Sequence, residues 1–580
     1  MKLELDSNIK YVSFDVFDTL VRRILSEDEM LKCIEQKMLR DGKIYAKNFV
    51  KNRLAAKNYL ISINKTNYTL TDIYNTRFFS NLDNNEKTDV MNEEIQAELS
   101  NCIVNDSGFE IYNKFKDKKK IICISDMYHS TNTVSDILVK NGYCISKVFV
   151  SSDCGLTKRS RALFKYVLND LNIKKNEIIH IGDSLRSDFI NPRFLGIYSY
   201  HLKRGNFNHN FYYNLGENVF GPLMYEFSRW LKNKSKDGTL IFLAREGECF
   251  SHFYGLIFRT QCKVAYVSRK SLLKANAYLY LKKSKIEDII NISSLSYRES
   301  VYDFCLRIGL DYGKYETLFQ KANIMKNSLI DSKFISFINN NSCIFLEEAK
   351  KNYDFFDEYI SKYITNDKVN YLVDIGWKGS IQEMMSSFLK SKSQNLEIKG
   401  LYLGVTNTNK KDGFLFSSKS NVFKDVLLFS GLLEILFMPE YGSVLGYKKQ
   451  KNIVTPVFDK FEFSEENYKI IRTVQKGIEN VLSRLSFYNQ IELFKRQTII
   501  NKLVKFGNMP DRFSISCFKK LDLYDNQKLY KLVPDYSIMQ YLNLRKIYID
   551  FRNSKWKSAF LINLTKIRFP YYLFLRLFKR

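Results

Sequence analysis

Residues 11–21 read YVSFDVFDTLV, Tyr11 through Val21. An apolar run stops at Asp15, and a second acid and a hydroxyl follow at Asp18 and Thr19. A buried strand that ends on an acid presents it at the carboxyl edge of a sheet, where a nucleophile or a metal ligand belongs. A strand followed by an Asp/Thr helix cap would read the same way. The rest of the chain separates the two readings.

Outward from this stretch, residues from about Ser26 to Ser107 are charged, with apolar residues at three- and four-residue spacing, which predicts helices. A strand-like run, KIICIS, ends on Ser125, Asp126 and Met127; a helix and a short strand, KVFVSS, follow, and then Gly155-Leu156-Thr157-Lys158 leads into another helix. The last unit, IIHIGDSLRSD, is a strand ending at Gly182 and Asp183 with a further acid at Asp188. Alternating strands and helices predict a parallel, doubly wound sheet whose strand ends share one edge. That edge would carry Asp15, Ser125, Lys158, Asp183 and Asp188. Phosphoryl transfer through an aspartyl intermediate needs such a set: a carboxylate nucleophile, a hydroxyl and an ammonium for the phosphoryl oxygens, and acids for magnesium.

On these residues the chain resembles the haloacid dehalogenase superfamily over roughly residues 8–204. The resemblance implies that Asp15 is the nucleophile and that Ser125 and Lys158 hold phosphate. It further implies that Asp15, Asp183, Asp188 and the backbone carbonyl of Phe17 hold Mg2+, and that Thr19 and Asp126 contact substrate. The helices between about 22 and 110 would form a cap that restricts water. One position departs from the pattern: superfamily phosphatases place a second Asp, a general acid/base, where this chain has Phe17. Losing such help costs about a hundredfold to ten-thousandfold in rate, and Asp18 or a cap residue is the substitute to look for. Dehalogenases also lack that acid, but the retained metal acids and the basic pocket favour phosphate chemistry.

A second α/β pattern starts after the polar, aromatic stretch GNFNHNFYYN. TLIFLA (239–244) ends on Arg245-Glu246-Gly247, KVAYV (263–267) ends on Ser268-Arg269-Lys270, and YLVDI (371–375) leads into Gly376-Trp377-Lys378-Gly379-Ser380 and a helix. Two glycines that let backbone amides face outward, with Lys and Ser at a helix start, fit a phosphate cradle, as they also fit a tight turn with a capping Ser. The order of these loops is similar to that of phosphoribosyltransferases, although only Asp374 stands where an acidic pair is usual. The two halves together resemble dual-domain bacterial ribofuranosyltransferases of surface-polysaccharide assembly. That resemblance implies transfer of 5-phosphoribosyl from phosphoribosyl pyrophosphate to a glycan acceptor, then removal of the 5-phosphate by the first domain. Arg245, Glu246, Arg269, Lys270, Asp374, Gly376, Lys378, Gly379 and Ser380 would bind this donor and acceptor. Glu434, near Glu440 and Tyr441, would be either an acceptor-side base or part of a solvated loop. The rivals are a hydrolase of the same superfamily with a rear domain that only binds phosphate or glycan, and a degenerate anion-binding scaffold.

The expected domains are 1–204, 205–460 and a helical, basic region 461–580. The 580 residues carry 90 Lys+Arg against 62 Asp+Glu, a formal charge of +28, which favours anionic partners. No nucleic-acid module is recognisable and the charge is spread out, so no nucleic-acid partner is expected. Ten cysteines without a CxxC pair, no signal core and no run of about 18 apolar residues point to a cytoplasmic protein. The end of the chain, KWKSAFLINLTKIRFPYYLFLRLFKR, interleaves aromatic and basic residues. It would either dock on the body or make peripheral contact with the inner membrane, where a lipid-linked acceptor would lie.

Overall fold

The computed structural model describes residues 6–578 except 64, 66, 203–210, 290–298, 367, 393–395, 520, 526, 527 and 537, with the backbone alone for most of 522–530 and for 538, 539, 577 and 578. The expected boundary at 204/205 lies outside the described residues. The chain divides into two compact units, Met1–Phe211 with Ser483–Leu493, and Tyr212–Leu482 with Phe494–Arg580.

The first unit is built on strands β1 (Tyr11–Phe14), β2 (Lys120–Ser125), β3 (Lys147–Val150), β4 (Ile178–Gly182) and β5 (Tyr198–His201). They pair in the order β3-β2-β1-β4-β5, all parallel. The central strand is buried on both sides, which is why its sequence is a nearly unbroken apolar run. Alternate residues of β2 feed two cores: Ile121 and Cys123 join Val12, Phe14 and Ile181, while Ile122 and Ile124 pack with Phe164 and Val167.

Between β1 and β2 lie the helices Glu27–Arg40, Phe49–Ser62, Leu70–Tyr74 and Asn84–Asn101. Three of their starts are closed by capping boxes, Ser26 with Glu29, Thr69 with Asp72 and Asp83 with Glu86, which the acid-rich first turns encode. An antiparallel pair, Val21–Arg23 with Cys102–Val104, ties the entry of this insertion to its exit. Inside it, the fully buried Arg53 makes a two-pronged ion pair with Glu94, which also accepts from Tyr74 OH.

The second unit holds another parallel sheet: β6 (Thr239–Leu243), β7 (Lys263–Ala265), β8 (Asn370–Trp377), β9 (Ile398–Val405) and β10 (Lys411–Gly413), in the order β10-β9-β8-β6-β7. A helical layer from Arg269 to Ile360 separates β7 from β8 and packs its aromatic side chains into one core with Ile241, Leu243 and Leu372. Beyond residue 460 the chain is mainly helical. It includes one short hairpin, Asp522–Asp525 with Lys528–Lys531, in a stretch whose periodicity predicts only helix.

Candidate active sites

In both sheets the strand order reverses direction beside a central strand, and a parallel sheet opens a crevice at the carboxyl ends of its strands at such a point. In the first unit this falls between β1 and β4, which end on Asp15 and on Gly182-Asp183. In the second it falls between β6 and β8, which end on Arg245-Glu246 and on Asp374 to Gly379.

Asp15 is almost fully buried at the end of β1. Lys158 Nζ donates to Asp15 Oδ1 at 2.7 Å and to Asp188 Oδ1 at 2.6 Å. Oxygens of Asp15, Asp183 and Asp188 lie within 4.8 Å of one another. Burial raises the pKa of Asp15 to about 7; Lys158 pulls it down, while Asp188 and Asp183 push it up. Burial alone would discharge Lys158, but Asp15 and Asp188 outweigh that and hold it as an ammonium. For Asp188, the neighbouring Lys158 and the bond from His180 overcome burial and hold the carboxyl well below its usual range. Three carboxylates around one lysine leave net negative charge in a buried place, and hard oxygen donors suit a divalent ion such as Mg2+.

The support of this cluster is local. Asp126, at the end of β2, accepts from the backbone N–H of Lys158 at 2.8 Å, and Asn191 donates to the Lys158 carbonyl at 3.1 Å. Thr19 Oγ1 accepts from Asp183 N–H at 3.1 Å, and Ser184 N–H donates to Asp188 Oδ2 at 3.0 Å. Gly182 is required because a Cβ there would sit 2.5 Å from Asp188 Cβ. Thr19 and Asp126, expected to contact substrate, thus brace the backbone of the Asp183 loop and of the Lys158 loop. Thr19 is fully buried, whereas Asp126 is exposed. Ser125 closes β2 and is buried at the same edge.

Phe17 does not face an acid's task. Its ring takes Arg23 at 4.6 Å, and Arg23 Nε donates to the buried Glu98 of the helix Asn84–Asn101 at 2.6 Å. Asp18 is exposed, with φ +59°, and its carbonyl accepts from Asn105.

Sequence reasoning missed His180 and Ser13. His180 is fully buried; its Nε2 lies 3.2 Å from Asp188 Oδ1 and its Nδ1 2.8 Å from Ser13 Oγ. A carboxylate only accepts, so Nε2 carries the proton; Ser13 Oγ, which bonds Nδ1, also reaches the Ile179 carbonyl at 3.1 Å. Burial lowers the pKa of His180 despite the bond to Asp188. The signal was present: each of two apolar runs contains one polar residue, and Ser13 and His180 are register partners on adjacent strands.

In the second unit, Glu246 opens the helix Glu246–Phe258 and Asp374 lies in β8, both buried. Burial raises Glu246 to about 8, with Arg245 opposing and Asp374 and Glu434 adding to the rise. Burial raises Asp374 to about 7; the Ile375 N–H lowers it, Glu434 raises it, and Arg269 and Arg245 lower it. Glu434, on the helix Ser430–Leu436, accepts from Trp377 Nε1 at 2.9 Å, so it belongs to this cluster and not to a solvated loop. Glu440 is exposed, whereas Tyr441 OH donates to Glu248 and accepts from Arg245 N–H at 3.2 Å. Arg245 Nη1 donates to Ser443 at 3.2 Å.

Not every expected donor-binding residue is placed alike. Lys270 is exposed and pairs with Asp459 at 2.9 Å, which draws its charge into a surface ion pair. Arg269 is exposed at the start of its helix, close enough to act on Asp374. Gly376 has φ +119°, and a Cβ there would be 1.9 Å from the Gly404 carbonyl. Gly379, φ +71°, takes the cap position of the helix Ser380–Lys390, so Ser380 is its first residue and not its cap; Lys378 is exposed beside them. Beneath this turn the buried Lys411, which no motif flagged, donates to the Lys378 carbonyl at 3.1 Å and to Glu383 at 2.6 Å.

No protein-family model and no curated protein matches the chain. Among solved structures, about a third of it is similar to a 2-haloacid dehalogenase from Pseudomonas syringae pv. tomato DC3000, at 13% identity and TM-score 0.27, covering 35% of this chain and 91% of that one. A HAD-family enzyme from Bacteroides thetaiotaomicron, in a structure with magnesium and inorganic phosphate, matches at 15% identity and TM-score 0.24 over 35% of this chain and 98% of its own. L-2-haloacid dehalogenase from Xanthobacter autotrophicus matches at 11% identity and TM-score 0.25, over 34% and 79%. The chemistry of the two sites is therefore read from their own residues.

Proposed function

We propose that the first unit is a magnesium-dependent phosphohydrolase and that the second transfers 5-phosphoribosyl from phosphoribosyl pyrophosphate to a glycan acceptor, on the cytoplasmic side. The observation that carries the first half is Lys158, buried between Asp15 and Asp188 within an acidic trio. Asp15, Asp183 and Asp188, with the Phe17 carbonyl, would hold Mg2+, which when bound offsets charge on the phosphoryl oxygens. Asp15 Oδ attacks phosphorus and the bond to the sugar oxygen breaks, leaving an aspartyl phosphate that water hydrolyses. Lys158 and Ser125 hold the phosphoryl oxygens. With Phe17 in place of an acid, the sugar oxygen leaves with little help, so this step is slow for alcohols and faster for acidic leaving groups.

The transferase half rests on the Glu246/Asp374 pair beside Arg245 and Arg269 at the second sheet's crevice. Carboxyls held near neutral pKa suit proton removal from an acceptor hydroxyl, and the arginines suit a departing pyrophosphate. The test is mass spectrometry of a lipid-linked or synthetic glycan acceptor incubated with magnesium and phosphoribosyl pyrophosphate. The Asp15→Asn variant should accumulate a product heavier than the wild type's by one phosphate, and Asp374→Ala should form neither product. If sugar phosphates are hydrolysed but no acceptor is modified, the second half is wrong and a phosphohydrolase with a binding domain remains.

A further inference from the structure

Helix Leu544–Asn553 in the second unit has two unlike faces. At 100° per residue, Leu544, Tyr548, Arg552, Arg545 and Ile549 fall in this order within an arc of about 140°. All five are exposed, Leu544 by 75% and Tyr548 by 64%. The rest of the helix is engaged: on the opposite face Asp550 accepts from Tyr536 OH at 2.8 Å, and beside Leu544 the Phe551 ring turns to Phe560 at 5.6 Å, Asp550 and Phe551 both being half-buried. The outward arc thus combines large apolar groups with arginines, and Lys546 stands at its margin. Among the described residues, Arg545, Lys546 and Arg552 make no ion pair. The same composition continues along the chain, where Ile567, Phe569, Leu573 and Phe574 are exposed.

We propose that the outward face of helix 544–553, continued by the segment 566–574, seats the protein on an anionic phospholipid bilayer. Charge selects this occupant: residues 541–578 contain eight Lys or Arg, of which Arg576 is paired with Asp425, and one acid, Asp550, which is already bonded to Tyr536. A helix whose exposed face mixes Leu, Ile and Tyr with Arg and Lys lies in the headgroup region with its apolar groups inserted, the basic groups drawn by anionic lipid. No helix among the described residues is long and apolar enough to cross a membrane, so the contact is in the plane of the surface.

The experiment is co-sedimentation of the full chain with vesicles of phosphatidylcholine alone or mixed with phosphatidylglycerol. Binding is expected to the mixed vesicles only, and to fall as salt rises. Each basic residue near the surface is worth about fivefold, so Arg545→Gln/Lys546→Gln/Arg552→Gln should weaken partitioning about a hundredfold. Leu544→Ser/Ile549→Ser should weaken it with the charge left intact. All five positions are exposed, and unchanged thermal midpoints verify that both variants fold. Equal binding to both vesicle types, binding to neither, or wild-type partitioning by both variants would overturn the proposal. So would a wild-type dimer abolished by Leu544→Ser/Ile549→Ser, which would assign the face to a second copy of the chain.

Discussion

Replacing Lys158 by Met keeps most of the side-chain volume and removes the one cation inside the acidic trio. The ammonium is 2.7 Å from Asp15 and 2.6 Å from Asp188, with its side chain 3% exposed. At an effective dielectric of about 20, each contact amounts to roughly 6 kcal/mol of attraction, much of it offset by the cost of burying the charges. Removing one partner of such a set costs about 3–5 kcal/mol, because the other carboxylates stay buried and uncompensated. The sign of the pH dependence follows from Asp15. Its folded pKa of about 7 lies above the ordinary 3.8, so the folded state holds the proton more tightly and stability falls as pH rises between those values. Without Lys158 the pKa rises further, and the gap between variant and wild type widens from pH 6 to pH 8. Magnesium would supply the missing charge and should narrow the gap. All three tryptophans, Trp230, Trp377 and Trp556, lie in the second unit, so calorimetry reports both units and tryptophan fluorescence only one. At about 2–4 °C per kcal/mol, the calorimetric transition invisible to fluorescence should fall by roughly 6–20 °C in chelator at pH 8. A shift under about 1 °C in chelator, or a gap that magnesium leaves unchanged, would refute the electrostatic account.

Gly182→Ala places a methyl 2.5 Å from Asp188; displacing that carboxylate from Lys158 should cost about a hundredfold in hydrolysis, measured as phosphate release. Phe17→Asp gives up an arginine–ring contact worth about 0.5–2 kcal/mol but supplies an acid. Hydrolysis of ribose 5-phosphate should rise at least tenfold while that of p-nitrophenyl phosphate barely changes, since only the poor leaving group needs a proton. Glu246 has a folded pKa of about 8 against an ordinary 4.5, so it destabilises the second unit progressively as pH rises through that window. Glu246→Gln should flatten this dependence, recovering on the order of a few kcal/mol at pH 8 in fluorescence-monitored unfolding.

Most strands of the parallel sheets were legible because they are short apolar runs ending on a polar group, a pattern that burial on both faces enforces; the edge strands Tyr198–His201 and Lys411–Gly413 are not such runs and were not legible. Asp15 and Asp183 were legible as the first polar residues past the apolar runs, and Lys158 and Asp188 stand further along the loops that follow. What the runs hide is their own interior. Ser13 and His180 look like interruptions until the register pairs them, and Lys411 looks like any lysine until it is found buried under Gly379. Glu434 was ambiguous because a helix of seven residues between loops has no strong periodicity. For Thr19 and Asp126 a further task was not legible, since a polar residue at a strand end can also serve a neighbouring loop's backbone, and which N–H it meets depends on the fold.

Phe17 bears on how the first site is organised. An acid at this position would have to be free to approach a leaving group, whereas the ring here is held under Arg23, whose guanidinium is fixed by the fully buried Glu98 of the helical insertion. The loop after Asp15 is thereby joined to the helix Asn84–Asn101 through an aromatic contact and an ion pair. Both contacts survive changes of pH near neutrality, since Glu98 is held well below its ordinary pKa by Arg23 and its charge persists. Position 17 thus serves as a fixed joint between the Asp15 loop and the helical insertion, and under the proposed phosphohydrolase reading leaving-group protonation would come from the substrate's side of the site or be dispensed with.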